Sequence, residues 1–450
     1  MVSEDRSLTG DWWLPHDRDV RRHGRLQRRD DRWRLVLGGG LPGETDGPQL
    51  IHGRAVDGRA ITVIDAQWRR KDVAQTIWDA PAYLDGVHLP SLDSPLGTVE
   101  VQIAEAAQFL DHEPEMVFDD PTLTVWTTRR NTGPVQLSDG TSLEIAFESR
   151  AERDDAASAV ALSCVVVFTF VPASGVVIGG ALDDLVSPTR DFVGFGTLTR
   201  CSTAVRRFTL LDHPSDTFTL VSSKGEQPIM TTSPRDRLLR FTGTEDLAET
   251  ARQWFAIYPK YRMAITLFLA PLFAREMYLE LRLATALMAI ESYQAERFGT
   301  VIPEPERDPE IEQILERLTN EPALRSYAKQ RLGGGQKGQK RRLREVVEHA
   351  GGVGDQVRTA LPNFEDRLAA ARGRNVAHGA SWHPRAGLEL HFLDRGLRWI
   401  FATCILRELG HSQDDATLIV RQCSRFSSDV AIFHHLGPEG RVVLPDRPAW

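Results

Sequence analysis

Cysteine is scarce in this chain: there are four residues in 450, none of them in a Cys-x-x-Cys pair. A disulfide framework and a thiolate zinc site both need cysteines at close, paired spacings, so the sequence favours neither. Long apolar runs are also missing. The longest, Met263–Phe273, is eleven residues long and is interrupted by Thr266 and Pro271, whereas a membrane-spanning helix needs about 20 residues. We expect no membrane partner and interpret this run as part of a buried helix.

An excess of positive charge is absent as well. The formal net charge is -8, which argues against a protein that coats nucleic acid with its whole surface and restricts any RNA contact to a local patch. The first residues, MVSEDRSLTGDWW, lack the apolar stretch of a secretion signal. Together with the few cysteines, this predicts a protein of the reducing cytoplasm.

The first half of the sequence is rich in short segments with high strand propensity. They contain Val, Ile, Thr, Phe and Trp and are bounded by Gly, Pro, Asp and Asn clusters. These segments are Trp33–Leu37, Ala60–Trp68, Thr122–Thr128, Ser142–Glu148, Ala161–Val171 and Thr217–Ser222. The pattern is typical of a β-rich, sandwich-like domain, which we place at residues 1–245.

From about residue 246 the spacing of the apolar residues becomes helical. Repeats of three and four residues predict helices over Leu272–Phe298, Pro309–Thr319, Arg342–Glu348, Asn363–His378 and Leu388–Leu409. Antiparallel helices of this kind form a bundle. The sequence therefore predicts an α+β multidomain protein, with an all-α bundle at residues 246–420 and a C-terminal tail at 421–450.

The most informative motif is RGRNVAHG at residues 372–379, where the fourth of these helices is predicted to end. Arginine holds a phosphate with a rigid two-pronged fork of N–H donors. Histidine takes up and releases a proton near neutral pH. Together they can cleave RNA by way of the substrate's own 2′-hydroxyl, with His378 as base or acid and an arginine on the phosphate oxygens. This chemistry needs no metal and no cofactor.

Two arginines are candidates for the phosphate contact. Five residues separate Arg372 from His378, and three separate Arg374 from it. On a regular helix Arg374 shares a face with His378, whereas Arg372 lies about 120° away. A helix that frays at Gly373 would favour Arg372 instead. Asn375 shares the face of His378 and is a candidate to orient the imidazole or to bind the phosphate.

A basic segment precedes this motif. Residues 325–344 carry eight basic side chains and no acidic one, so they are candidates to attract an RNA backbone. The residues that we predict to contact RNA are Lys337, Lys340, Arg341 and Arg342. A solvated loop is the alternative interpretation. The Gly-rich run at 333–340 does not fit a nucleotide-binding P-loop, because Gln339 stands where that motif has lysine.

Several segments, taken in order, are similar to those of one protein family. In the C-terminal third they are AIESY at 289–293, the Arg-Asn…His-Gly helix end and LRELG at 406–410. In the first half they are GDWWLP at 10–15, GRL at 24–26, IHG at 51–53 and ITV at 61–63. By these segments the chain resembles the HEPN superfamily in its ApeA-like branch, with an ApeA N-terminal domain before the bundle.

The resemblance implies an antiphage defence protein that acts by abortive infection through a metal-independent HEPN endoribonuclease. It also implies a homodimer, since HEPN bundles commonly pair and build the cleavage site from both subunits. In the family, histidine follows arginine after four to six residues, often with a polar residue next to the arginine. Arg372 and His378 fit this spacing, while the Arg374-Asn375 doublet lies one residue too close. Glu291, the acidic position of the first long helix, is the accessory candidate.

The expected substrate is RNA, with tRNA as one candidate, and the β-rich domain is expected to sense a phage-derived trigger or to restrain the bundle. Two alternatives stay open from the sequence. One is a non-catalytic HEPN module that binds a nucleotide or RNA as a sensor, because the Arg-Asn…His spacing is short. The other is a scaffold that uses the bundle for dimerisation only.

Overall fold

The computed structural model describes residues 7–41, 47–71, 75–109, 125–154, 159–201, 205–222, 232–241, 244–274, 276–301, 309–331, 337–372 and 384–433. The chain divides into two compact units. The first comprises Met1–Val193, Cys201–Thr231 and Arg240–Phe255, and the second comprises Gly194–Arg200, Thr232–Leu239 and Ala256–Trp450.

The first unit contains an antiparallel sheet with fourteen strands in the described residues. The strands are β1 Ser7–Leu14, β2 Asp17–Arg29, β3 Arg32–Leu37, β4 Gln49–Ala55, β5 Ala60–Lys71, β6 Thr76–Ala80, β7 Ala82–Asp85, β8 Leu96–Ile103, β9 Val125–Asn131, β10 Val135–Gln136, β11 Ser142–Asp154, β12 Ala159–Val171, β13 Val205–Leu210 and β14 Thr217–Ser222. All six predicted strand segments overlap these strands, so the β-rich first half is confirmed.

Six of the strands close into a barrel. Their order is β5-β4-β1-β2-β3-β6, and β6 pairs with β5 again. From β5 the sheet also continues through β7, β14, β13, β8, β12 and β11 to β10, with β9 paired to β11. The sequence pattern suggested a sandwich, but alternation of buried and exposed residues fits both arrangements. Closure depends on the pairing of β5 with β6, which alternation does not reveal.

Three tryptophans fill the interior of the barrel. On β3 the buried residues Trp33, Leu35 and Leu37 alternate with more exposed ones, as the period of two in a strand requires. Trp12 and Trp78 join Trp33 in the same apolar cluster. Gly53 on β4 makes room for them, because a Cβ at this position would lie 2.2 Å from Cε3 of Trp12.

Helices make up the second unit and connect it to the first. The described α-helices are α1 Ile178–Gly180, α2 Ser187–Thr197, α3 Thr244–Phe273, α4 Leu279–Phe298, α5 Pro309–Arg317, α6 Pro322–Arg331, α7 Gln339–His349, α8 Gly352–Ala360, α9 Phe364–Ala371, α10 Pro384–Glu408, α11 Gln413–Gln422 and α12 Ser424–Phe433. A π-helical turn at Ala181–Val186 joins α1 to α2, and short 3-10 helices lie at Ala104–Phe109 and Pro234–Asp236. The predicted helical region after the β-rich one is confirmed.

The core of the second unit lies where α10 packs against α4, α7 and α8, with α11 and α12 beside them. The apolar positions predicted from helical spacing are buried on both long helices; they include Leu283, Leu287 and Ile290 on α4 and Leu393, Leu397 and Ile400 on α10. Gly299 ends α4 with a φ of 68°, and Gly410 follows α10 with a φ of 93°. Glycine adopts this left-handed conformation without strain, which explains both predicted helix ends.

Several helices differ from the sequence-based expectation. α6 lies where no helix was predicted from the sequence; residues 322–328 of this helix are mostly exposed, so no apolar stripe marks it. α8 begins at the second of two successive glycines, Gly351 and Gly352, and such a pair is more typical of a loop. α12 lies within the predicted tail, and its side chains Phe426 and Phe433 are buried.

Candidate active site at the C-terminal end of helix α9

Helix α9 holds the described part of the predicted active-site motif. Asn363, the first residue of the predicted helix, occupies the N-cap position with a left-handed φ of 59° and without a capping bond from its side chain. At the other end Arg372 is the C-cap residue and keeps helical angles, with a φ of -60° and a ψ of -48°. Three further predicted site residues lie outside the described residues: Arg374, Asn375 and His378.

The side chain of Arg372 contacts Glu291 on α4. Nη1 of Arg372 donates a hydrogen bond to Oε1 of Glu291. The side chain of Arg372 is 42% exposed and that of Glu291 is 20% exposed, so the guanidinium group still faces solvent. The structure therefore brings together one of the two candidate arginines and the candidate accessory carboxylate.

This ion pair affects how Arg372 can hold a phosphate. A guanidinium group has five N–H donors, and the bond to Glu291 leaves some of them for a second anion. The carboxylate orients the group, but it also offsets its positive charge. A phosphate bound to Arg372 would lie close to the like charge of Glu291. The ion pair therefore reduces the net positive charge that Arg372 presents at this helix end.

A buried polar network, which we did not predict from the sequence, lies inside the bundle. Its centre is the carboxylate of Glu408, the last residue of α10. The hydroxyl of Tyr293 donates to Oε1 of Glu408 at 2.7 Å, and that of Tyr261 donates to Oε2 at 2.9 Å. Nε of Arg297 lies 3.0 Å from Oε1. These donors satisfy the carboxylate, which is the condition for tolerating a charge at a largely buried position.

His349 on α7 lies beside this network. Nη1 of Arg407 contacts Nδ1 of His349 at 2.9 Å, and because arginine can only donate, Nδ1 accepts and the ring proton is on Nε2. Nε2 lies 3.8 Å from Oε1 of Glu408. Burial, together with the charges of Arg407 and Arg297, lowers the pKa of His349 to about 4. The imidazole is therefore neutral at pH 7.

The two tyrosines stay protonated over the ordinary pH range. Burial raises the pKa of both Tyr261 and Tyr293, and the carboxylate of Glu408 raises each further. One signal in the sequence could have revealed the network. Glu408 follows Ile400 and Cys404 at a spacing of four, so a carboxylate continues the apolar stripe of α10.

The predicted RNA-binding residues fall into different environments. Lys337 is buried: its ammonium group donates to the carbonyl oxygen of Phe298 at 3.0 Å and lies 2.9 Å from Oε1 of Glu345. It joins the end of α4 to α7 and presents no charge to solvent. Nζ of Lys340 lies 2.6 Å from Oδ1 of Asp366 on α9, and both side chains are about half exposed.

The two arginines of the predicted RNA-binding set lie in the first turn of α7. Nε of Arg341 lies 3.6 Å from Oε1 of Glu345, and the side chain of Arg342 is half-buried. Residues 339–344, which the alternative interpretation assigned to a solvated loop, therefore belong to helix α7. Lys340 and Arg341 are partly exposed, each close to a carboxylate, and Arg344 on the same helix is exposed as well.

Residues 285–415 match the model of the Apea-like HEPN family. The matched segment runs from α4 to α11 and includes Glu291, Arg372 and Glu408. The helical region thus contains an Apea-like HEPN domain, as the resemblance predicted. The match does not include the β-rich half, for which an ApeA N-terminal domain stays a prediction.

No curated protein and no solved structure matches the chain. None of the described helices has both the length and the apolar character of a membrane span.

Proposed function

We propose that this protein is a metal-independent endoribonuclease of the HEPN type that acts in antiphage defence by abortive infection. The observation that carries the proposal is the position of Arg372, which Glu291 holds at the end of α9 within the segment that matches the Apea-like HEPN family. His378 follows six residues later in the chain. HEPN domains are commonly ribonucleases, which supports this reading of an arginine and a histidine at a helix end.

The proposed reaction uses only groups of the protein and of the RNA. The 2′-oxygen of the RNA forms a bond to phosphorus, and the bond from phosphorus to the 5′-oxygen breaks. His378 removes the proton of the 2′-hydroxyl or protonates the leaving 5′-oxygen, a role worth about 10²–10⁴-fold in rate. Arg374 or Arg372 stabilises the negative charge on the non-bridging oxygens. The products carry a 2′,3′-cyclic phosphate and a 5′-hydroxyl.

The same proposal includes a homodimer and a trigger. One imidazole cannot be base and acid at once, so a second copy of the bundle would supply the second His378 and further arginines. Light scattering after gel filtration tests for the dimer.

The β-rich half would receive a phage-derived trigger. This predicts that plaque formation on cells that express the protein rises when that half is deleted.

The direct test is an RNA cleavage assay in the presence of EDTA. Purified wild-type protein is incubated with total RNA and with tRNA, beside the variants His378→Ala and His383→Ala. The second variant is a matched control, because it removes an imidazole five residues away that lies outside the motif. We expect cleavage by wild type and by His383→Ala, and none by His378→Ala.

The other outcomes would identify the alternatives. RNA binding without cleavage by any of the three proteins, and without toxicity on overexpression in cells, would favour a non-catalytic sensor. Neither binding nor cleavage, with a dimer in solution, would favour a scaffold. Growth arrest that depends on His378 but not on His383 would support the ribonuclease even if the purified protein rests in an inactive state.

A further inference from the structure

The β-rich unit has a cavity of about 390 Å³ in the wall of its barrel, where β2, β3, β6 and β5 lie side by side. Small-molecule sites have volumes of about 300–1,000 Å³. The lining includes Arg29, Arg32, Arg34 and Arg69, with Trp68 and Asp79. The arginines outnumber the acidic residues of the lining by four to two, in a chain whose formal net charge is -8. The excess of arginine gives the lining a positive formal charge, which favours an anion over a cation.

Two of these arginines are placed at an energetic cost. Asp30 and Asp31 connect β2 to β3 with φ angles of 52° and 57°, the two left-handed residues of a tight hairpin turn. The turn sets Arg29 directly opposite Arg32. Like charges at directly opposed positions destabilise a sheet. Oδ2 of Asp30 lies 3.9 Å from Nε of Arg29, and an anion between Arg29 and Arg32 would offset the repulsion that remains.

A third arginine reaches the cavity through an irregularity in β5. Trp68 pairs with Trp78 and Arg70 pairs with Ile77, so Arg69 is the extra residue of a β-bulge. A bulge redirects the side chain that it carries, and bulges are over-represented next to functional sites. The bulge thus directs Arg69 to a site already flanked by arginines.

Asp79 orients two of the guanidinium groups. Its carboxylate is 4% exposed and accepts hydrogen bonds from Nε of Arg34, at 3.0 Å, and from Nη1 of Arg69. Burial raises the pKa of Asp79, but the hydrogen bonds from Arg34 and Arg69 outweigh this effect and lower the pKa overall. The side chain of Arg69 remains 60% exposed, so its other N–H donors are accessible to a ligand in the cavity.

Trp68 adds a flat apolar surface to this charged site. Its side chain is 45% exposed, which is unusual for a residue that buries a large area when it packs. An aromatic ring next to arginines is the combination that binds nucleotides, because the ring stacks on a base and the guanidinium groups hold the phosphate. An acidic peptide would use the arginines but would leave the indole without a partner.

We propose that this cavity binds a nucleoside phosphate, with the base stacked on Trp68 and the phosphate held by Arg32 and Arg69. A free nucleotide and the terminal nucleotide of a single-stranded RNA share this chemistry. The site is contained in the first unit, so the proposal does not depend on ribonuclease activity in the helical region.

Titration calorimetry on the full chain tests the proposal. The probes are AMP, CMP, inorganic phosphate and a 5′-phosphorylated 2′-O-methyl oligonucleotide, which has no free 2′-hydroxyl and so resists the proposed cleavage. The variants are Arg32→Glu, Trp68→Ala and Trp68→Phe. Arg25→Glu is the matched control, since Arg25 is an exposed residue of β2 outside the cavity lining. Thermal melting of each variant checks that the barrel is folded.

We expect Arg32→Glu and Trp68→Ala to weaken binding about tenfold or more, since stacking alone is worth about 1–3 kcal/mol per base. Trp68→Phe and Arg25→Glu should stay within about twofold of wild type. Tight binding of AMP or CMP identifies a free nucleotide as the source, and binding of the oligonucleotide alone identifies an RNA end. The proposal is overturned if AMP, CMP and the oligonucleotide all fail to bind, if inorganic phosphate binds as tightly as the nucleotide or oligonucleotide that does bind, or if Arg32→Glu and Arg25→Glu have equal effects.

Discussion

The guanidinium group of Arg372 donates a hydrogen bond to the carboxylate of Glu291, a residue 81 positions earlier in the chain. The contact joins the end of α9 to the middle of α4. It brings a candidate catalytic arginine into contact with the acidic residue that the family resemblance marked as accessory. The carboxylate of Glu291 also offsets part of the positive charge with which Arg372 would bind a phosphate. Replacing Glu291 and replacing Arg372 should therefore have different effects.

Removing the carboxylate should alter activity more than stability. The pair is partly exposed, and such pairs contribute about 0–1 kcal/mol to folding. We therefore expect Glu291→Gln to shift the free energy of unfolding by less than about 1 kcal/mol. If Glu291 positions Arg372 for cleavage, the same variant should lower kcat by about tenfold with little change in KM.

Glu296→Gln is the matched control for this experiment, since Glu296 is an exposed residue on the same helix. Equal kcat values for Glu291→Gln and Glu296→Gln would show that the ion pair has no role in cleavage. An increase in kcat for Glu291→Gln would show that the carboxylate restrains Arg372 instead of positioning it.

The two candidate arginines should differ when each is replaced by alanine. Arg374 shares the helical face of His378 if the helix continues, and Arg372 is already bonded to Glu291. We expect Arg374→Ala to reduce RNA cleavage by about 10²–10³-fold, the usual loss for a group that stabilises charge in the transition state. Arg372→Ala should cost less. A larger loss for Arg372→Ala would assign the phosphate contact to Arg372.

Loss of the carboxylate at the centre of the buried network should destabilise the bundle. Glu408→Ala leaves the hydroxyls of Tyr261 and Tyr293 without their acceptor, and we expect a loss of about 2–4 kcal/mol. Tyr261→Phe should cost about 1–2 kcal/mol. Glu348→Ala, at a position whose side chain is 58% exposed, should change stability by less than about 0.5 kcal/mol. Chemical denaturation followed by the helical circular dichroism signal measures all three.

His349 should make the bundle less stable in mild acid. Its pKa is about 4 in the folded chain and about 6.5 in an unfolded one. Between these values the unfolded state binds a proton that the folded state does not, so stability is full above pH 6.5 and falls as the pH drops towards 4. We expect a contribution of up to roughly 3 kcal/mol to be lost across this window.

The variant His349→Gln isolates this contribution. Burial also lowers the pKa of His52, His391 and His411, so the wild-type pH dependence includes other histidines. The difference between wild type and His349→Gln, measured as the free energy of unfolding at several pH values, should follow the loss described for His349 alone. A difference that does not vary between pH 7 and pH 4 would contradict the buried, neutral imidazole.

Local patterns predicted the class of each half and part of its elements, but not the long-range pairing of those elements. The alternation on β3 and the apolar stripes of α4 and α10 follow directly from strand and helix geometry. Closure of the barrel requires β5 to pair with both β4 and β6, a feature that no single segment encodes. α8 was missed because its glycines are more typical of a loop than of a helix.

In the candidate site, too, local features were predicted from the sequence and long-range contacts were not. The motif at 372–379 was found from residue types and spacing, and Glu291 from the resemblance. The Glu408 network was missed because its members come from α3, α4, α7 and α10, with up to 147 positions between hydrogen-bonded partners. Lys337 was assigned to the RNA-binding set from its charge alone, while its burial depends on Glu345 and on the end of α4.

Analysis of the RNA ends left by the purified protein in EDTA tests the central claim most directly. We predict that wild-type protein leaves 2′,3′-cyclic phosphates and 5′-hydroxyls, and that His378→Ala leaves no new ends above the background of RNA alone. Fragments with 3′-hydroxyls and 5′-phosphates, or equal cleavage by wild type and His378→Ala, would contradict the account.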